Sequence, residues 1–390
     1  MLNTFLFVLL MTVMNHVAFK GSKVLISLFA IELGAQPLLI GVLVALYSLF
    51  SVFLSVYAGR ISDRLGPRLP MLFGSIGLAA ALAMPYLVPR VPGLVVSALM
   101  IGTCYIFYTV AMQHLIGALG EGAERTRNYS IFSIFVGITS LVGPTMTGFA
   151  IDGIGHRATY LLLAALPVVP VLVLVFLPGL MPAHKPHPTQ AAQPRVGDLL
   201  KNAPLRRVLL TAGILETGNE VLNFLLPIYG HSIGLSASRI GLVMGTYALA
   251  LLLVRTVMPA LARRSSEERV LSVSMLVAAL ACLAYPFVTT FALLAATSFV
   301  LGLGLGCGGP ISMALAYNRS PRGRSGEAIG LRQTVNKFAE VVVPLLFGVA
   351  TTLVGMWPVF WFDAAMLAFG ASLMASDAAR PGAVASEPMD

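Results

Sequence analysis

The chain has 390 residues, of which 57% are hydrophobic and only 11% charged, with a formal net charge of +9. A soluble domain carries roughly 25% charged residues, so an ordinary water-soluble globular protein is excluded. Apolar segments of about 20 residues recur along the whole length, each long enough to cross a ~30 Å hydrocarbon core as a helix.

Twelve predicted spans fall at about 4–31, 38–58, 70–88, 92–118, 129–151, 158–178, 207–230, 237–259, 270–288, 291–316, 328–351 and 357–375. The first starts close to Met1 without a basic leader or a small-residue cleavage site, and is expected to be a retained span rather than a signal peptide. It carries His16, Lys20 and Lys23, spaced four and three apart and so on one helical face.

Between the second and third spans stands Gly59-Arg60-Ile61-Ser62-Asp63-Arg64-Leu65-Gly66-Pro67-Arg68. This stretch resembles the loop signature of the major facilitator superfamily, approximately G-x-L-x-D-R-x-G-R-R, departing from it at Ile61 and Pro67. The resemblance implies a charge latch on the cytoplasmic side, made by Gly59, Asp63, Arg64 and Arg68. The fourth span has Ala98 where many proton-coupled members carry a buried Arg. It offers instead Tyr105, Tyr108, Thr109 and Met112 on one face, suited either to a cavity wall or to helix packing. In the fifth span, Gly143-Pro144 followed by Gly148 resembles in part the Gly-Pro antiporter signature of the superfamily's exporters. Pro144 removes a backbone hydrogen bond and is expected to bend the helix there.

A polar, Pro-rich linker, 182–205, separates residues 1–181 from 206–377, and a tail follows at 378–390. The two long parts repeat each other: Gly34, Ile40, Gly41, Tyr47, Gly102, Pro144 and Gly148 recur 200 residues later as Gly234, Ile240, Gly241, Tyr247, Gly302, Pro344 and Gly348. The expected fold is therefore an all-α membrane protein of twelve transmembrane helices in two pseudo-symmetric six-helix bundles, related by an axis along the membrane normal.

The seventh span holds Glu216, Asn219, Glu220 and Asn223 on one face. A charged group near the bilayer centre costs roughly 2.5–3.5 kcal/mol on insertion scales, so the stripe has to face a partner helix or a wet cavity. The repeat maps His16, Lys20 and Lys23 onto Glu216, Glu220 and Asn223. The cationic and acidic stripes read either as structural ion pairs or as the two walls of a site. Arg255 is placed to snorkel from the end of the eighth span. The tenth span's Gly302, Gly304, Gly306, Gly308 and Gly309 read as a pliant, closely packed helix. The eleventh carries Arg332, Asn336 and Glu340 four apart, with Lys337 beside them, and either Lys337 or a first-span lysine is the expected ion-pair partner of Glu340.

Charge placement sets the orientation. The outer segments hold only Arg90, Arg157 and Arg239, whereas Arg60, Arg64, Arg68, Arg125, Arg127, Arg206, Arg207, Arg263, Arg264, Arg319, Arg322 and Arg324 fall on the other side. This bias puts both termini in the cytoplasm and makes nucleic-acid binding unnecessary to explain the basic charge. Cys104, Cys282 and Cys307 lie in apolar segments and suit buried thiols rather than a disulfide framework. No His-Glu-x-x-His, Gly-x-Ser-x-Gly or metal-spaced Cys/His cluster is present, which argues against a membrane enzyme and a metal site.

The resemblance and the residues together lead to a secondary active transporter of a small organic solute, working by alternating access in the inner membrane as a monomer. Its energy source is expected to be a proton gradient, with no cofactor. Glu216, Glu220 and Glu340 are the expected proton-coupling groups. The expected substrate contacts are His16, Lys20, Lys23, Tyr105, Tyr108, Asn219, Asn223, Arg332 and Asn336, on spans one, four, seven and eleven. Efflux by proton antiport leads; uptake or facilitated passage of an organic anion such as a carboxylate is the alternative.

Overall fold

A computed structural model describes residues 2–119, 122–177, 196–320 and 325–379; helices occupy nearly all of them, and no strand forms among the described residues. In chain order the helices are α1 (Leu2–Glu32), α2 (Pro37–Leu65), α3 (Arg68–Leu87), α4 (Val91–Ala118), α5 (Gly122–Phe176), α6 (Ala203–Ser232), α7 (Ala237–Arg264), α8 (Glu267–Ala284), α9 (Phe291–Gly306), α10 (Gly308–Asn318), α11 (Ser325–Val354) and α12 (Met356–Ala378). Most of the expected linker, the tail from residue 380 and the side chain of Asp63 lie outside the described residues.

Among the described residues, ten helices are long and apolar enough to cross a membrane. Two features separate that number from the twelve predicted spans. The predicted fifth and sixth spans run on as α5, interrupted only at Gly155, whose φ of 79° and ψ of 167° no helix can hold. Helix α6 has the length, yet, with Arg206, Arg207, Glu216 and Glu220 along it, is not among the ten. The predicted tenth span is divided at Cys307 into α9 and α10.

The sequence repeat is realised in the backbone. Gly34 and Gly234 both take φ +79°, and Gly155 and Gly355 take +79° and +85°. At the first pair the helix ends in the same way twice. Gly34 N donates to Ile31 O and Ala35 N to Ala30 O, while Gly234 N donates to His231 O and Leu235 N to Gly230 O. Such a left-handed stop satisfies the last carbonyls of a helix and strains any residue with a Cβ.

The chain forms two compact units. Unit one comprises the described residues up to 177 together with 223–245, from α6 and α7, and 344–352 of α11. In it α1 packs along α5, and α4 packs against α2 and α3. Lipid tails are as apolar as leucine, so helices in a bilayer associate by close contact and hydrogen bonding rather than by exclusion of water. Small residues supply that closeness. A Cβ on Gly21 would strike Thr147 Oγ1 of α5, one on Gly143 would sit 3.0 Å from Lys20 Cβ, and one on Gly74 would sit 2.8 Å from Cys104 O.

Unit one also joins the repeats symmetrically. Gly41 of α2 meets the carbonyl of Pro344 and Gly241 of α7 meets that of Pro144; Gly348 meets residues 37 and 38 while Gly148 meets residues 237 and 238. Unit two holds the remainder, with α8 packed on α9 and α12. There a Cβ on Gly302 would come 2.5 Å from Tyr247 O, and one on Gly304 2.6 Å from Ala278 N. Gly302, Gly304, Gly306 and Gly308 of the tenth span thus pack closely, as expected, whereas a Cβ on Gly309 would meet open space.

Candidate functional site

The cationic stripe lies in unit one. His16 is 4% exposed; its Nδ1 lies 3.2 Å from Thr12 O, and its ring meets Tyr105 and Phe132 edge-on at 5.3 and 6.2 Å. Phe19 stacks on Tyr105 with ring centres 3.6 Å apart, and Lys23 Nζ lies 5.9 Å from the Phe19 ring centre. Lys23 is buried and Lys20 half-buried. Lys20 stands on the stretch of α1 that Gly143 and Thr147 draw against α5, so the Gly-Pro segment sets how close the two backbones come.

Tyr105 therefore joins His16, whereas Tyr108 goes elsewhere. It is fully buried among Val8, Met11, Met71, Met112, Leu115 and Ile116, in the packed apolar part of the unit. The face on which both tyrosines were expected turns from an aromatic cluster into a packing seam within one helical turn.

The acidic stripe stands on α6, mostly in unit two. Glu216 Oε2 accepts from Asn336 Nδ2 of α11 at 3.0 Å. Asn219 accepts from the Tyr247 hydroxyl of α7 and donates to Leu215 O at 3.2 Å. Glu220 is 3% exposed. Asn223, one turn on, is half-buried and belongs to the segment of α6 that packs with unit one. On α11, Lys337 Nζ pairs with Glu340, one of the pairings expected for it. Arg332 is 5% exposed and donates from Nη1 to Ser312 Oγ at 3.1 Å. The Asn336–Glu216 bond thus ties the acidic stripe of α6 to the polar stripe of α11 within the unit. The chemistry available to them is proton exchange and hydrogen bonding. No group of three or more His, Cys, Asp and Glu that would hold a metal ion occurs among the described residues.

Of the expected latch, Arg64 is exposed, and the Asp63 side chain lies outside the described residues. Arg68 donates from Nε and Nη2 to Leu174 O at 3.1 and 2.9 Å, capping a carbonyl near the end of α5. Ser62 Oγ lies 3.0 Å from His114 Nδ1, which gives that histidine a partner inside the unit. Gly59 of the latch makes no close helix approach. A Cβ there would only touch Val110 at 3.9 Å, an ordinary contact, so closeness is supplied instead by Gly74 and Gly77 on α3.

Three acidic or basic residues that sequence reasoning passed over hold central places. Asp152 accepts from the backbone N–H groups of Ala237 and Ser238 at 3.1 and 2.9 Å, at the start of α7. Arg319 pairs with Asp377 at 2.6 Å and Glu268 at 2.8 Å, and Asp377 also takes Arg207. Asp363 of α12 is fully buried against Thr217 and Cys282. The signal for Asp363 was visible, since it is a lone carboxyl in an apolar span. It went unnoticed because it forms no stripe with other polar residues.

The sequence model of the Major Facilitator Superfamily matches residues 8–216 and again residues 208–388. The multidrug resistance protein MdtG of Klebsiella pneumoniae (strain 342) is 24% identical over 369 residues, covering 89% of this chain and 85% of that protein. The staphylopine export protein of Staphylococcus aureus is 30% identical over 145 residues, 36% of this chain and 35% of that protein. Among solved structures, the nucleoside transporter NupG matches at a TM-score of 0.82 and 15% identity, over 95% of this chain and 99% of that one. A POT family transporter in complex with 5-aminolevulinic acid matches at 0.81 and 13%, over 95% of each.

Proposed function

The chain belongs to the Major Facilitator Superfamily, and from that premise we propose that this multi-pass membrane transporter exports a small organic solute by proton antiport. It has twelve spans, lies in the inner membrane with both termini in the cytoplasm, works as a monomer and needs no cofactor beyond the proton gradient.

The observation that carries the proton-coupled reading is the pair Glu216 and Glu220 on α6, one bonded to an amide of α11 and the other 3% exposed. Holding carboxylates at that depth costs roughly 2.5–3.5 kcal/mol each on insertion scales, which a purely structural helix avoids by using apolar residues. Protonation of Glu216 exchanges a charged acceptor for a neutral acid and so alters its bond to Asn336. The transporter thereby responds to the gradient by alternating access. His16, Lys20, Lys23, Tyr105, Asn219, Asn223, Arg332 and Asn336 supply the substrate contacts, with Tyr108 as support from the packed core. Glu340, already held by Lys337, is a secondary coupling group. Low-identity likeness to multidrug and staphylopine exporters, together with the Gly143-Pro144 segment, supports export over uptake.

The test uses everted membrane vesicles, ethidium as the probe and an imposed pH gradient. Wild-type protein is expected to accumulate the dye only while the lumen is acidic, and Glu220→Gln to lose that accumulation while still exchanging dye at equal pH. Gradient-driven flux that survives in Glu220→Gln sinks the coupling assignment. Gradient-independent entry of benzoate, with no movement of ethidium, establishes the facilitator reading that Lys20 and Lys23 favour.

A further inference from the structure

We infer that Asp363 carries its proton as a neutral carboxylic acid at neutral pH and acts as a positioning residue, fixing the rotation of α6 and hence the setting of Glu216 and Glu220. The carboxyl lies on α12 in the interior of unit two, with 0% of the residue exposed. Its Oδ1 is 3.1 Å from Thr217 Oγ1 and its Oδ2 is 3.4 Å from Cys282 Sγ.

Counting hydrogens decides its form. The Thr217 hydroxyl has one, and its nearest acceptor is Ile214 O at 2.7 Å rather than the carboxyl at 3.1 Å. A thiol is a weak donor. An ionised Asp363 would keep one weak bond and a share of another, with no cation in its hydrogen-bond or ion-pair shell among the described residues. Buried charges are otherwise paired or neutralised. With a proton on the carboxyl every group is served: Asp363 donates to Thr217, and Thr217 donates to Ile214 O. The titratable group facing it is Cys282 from α8, and Tyr285, from the turn after α8, has its contacts elsewhere. The Tyr285 ring stacks on Phe360, and its hydroxyl sits 2.6 Å from Ser298 Oγ. Neither is charged at neutral pH.

The consequence for α6 follows from adjacency. Glu216 is held by Asn336 of α11, the next residue Thr217 by Asp363 of α12, and Asn219 by Tyr247 of α7. Anchors on successive residues point about 100° apart on a helix, so together they fix its rotation. Only this last step rests on the proton-coupling role of Glu216 and Glu220.

Infrared spectroscopy of the full-length protein in phosphatidylcholine vesicles tests both parts. Subtracting the spectrum of Asp363→Asn at neutral pH is expected to leave a carboxylic-acid C=O band; a carboxylate band in its place overturns the neutral acid. In the same preparation, Asp363→Leu is expected to shift the pH at which the remaining carboxyls titrate, and Asp363→Asn, which can still donate to Thr217, to leave it unchanged. Should Asp363→Leu fail to fold, Thr217→Val removes the same bond with a smaller change. An unshifted titration in the folded variant that lacks the bond overturns the positioning role, as does a shift of equal size in Asp363→Asn. If Glu220→Gln leaves gradient-driven transport intact, the coupling assignment falls while the Asp363 band still reports its proton.

Discussion

Gly241 lies flush against the carbonyl of Pro144, where an added Cβ would come within 2.5 Å of the oxygen and 3.2 Å of Thr145 Cα. The same relationship recurs 200 residues away on each side, with Gly41 against Pro344. Both contacts lie in unit one and carry the approach of α7 to α5 and of α2 to α11. The atom met is backbone, which cannot rotate aside, so the cost of a methyl group falls on the helix axes themselves.

Replacing Gly241 or Gly41 by Ala is therefore expected to destabilise the protein by about 1–3 kcal/mol, the usual cost of forcing an extra carbon into a packed interior. Gly309→Ala supplies the contrast, since nothing lies within 4 Å of a Cβ there and α10 is helical at that point. It should raise stability by roughly 0.5–1 kcal/mol through the lower chain entropy of alanine. Thermal unfolding of the three variants in one detergent checks the ranking, and an unharmed Gly241→Ala contradicts the packing argument.

How much of this could be read beforehand differs between backbone and side chains. The repeat of Gly34 in Gly234 and of Pro144 in Pro344 was plain in the sequence, because glycine and proline have backbone requirements that any copy of the fold has to meet. Lys337 and Glu340 paired as their spacing suggested. The partners of Asp152 and Asp363 were illegible, since each bonds across helices distant in sequence and spacing along one helix says nothing about what faces it. Tyr105 and Tyr108 mark the same limit: they share a helical face, yet one meets His16 and the other is buried in an apolar packing seam. The break at Cys307 was equally hidden inside a uniformly apolar run.

Asp152 offers a second test. The first N–H groups of a helix have no partner within it, and an acidic side chain there is favoured by both hydrogen bonding and the helix dipole. Asp152 fills that role for α7, and at the equivalent place Thr352 Oγ1 accepts from Leu38 N at 3.2 Å at the start of α2. Asp152→Ala should cost about 1 kcal/mol, as loss of a helix cap commonly does. Thr352→Val should cost less, because a hydroxyl serves one N–H and brings no charge. Equal effects in thermal unfolding would mean that the charge of Asp152 adds nothing.

The third expectation concerns Arg319, whose side chain is 8% exposed and whose guanidinium bridges Asp377 and Glu268 while also reaching Pro204 O at 3.4 Å. Through these bonds the starts of α6 and α8 and the ends of α10 and α12 are tied to one planar group, which five fixed N–H donors suit better than an ammonium. Arg319→Lys keeps the charge and loses the fork, and is expected to weaken the protein measurably. Arg319→Met leaves two carboxylates facing each other with only Arg207 to serve Asp377. Breaking a buried pair from one side costs roughly 3–5 kcal/mol, and the lower figure applies here because Arg207 remains. If the loss came merely from packing, Met, which fills similar space, would match the wild type, and adding Asp377→Asn would change nothing. If it comes from stranded charge, Asp377→Asn in the Arg319→Met background should recover part of the lost stability. The thermal midpoint of the double variant, read against both single variants, distinguishes the two.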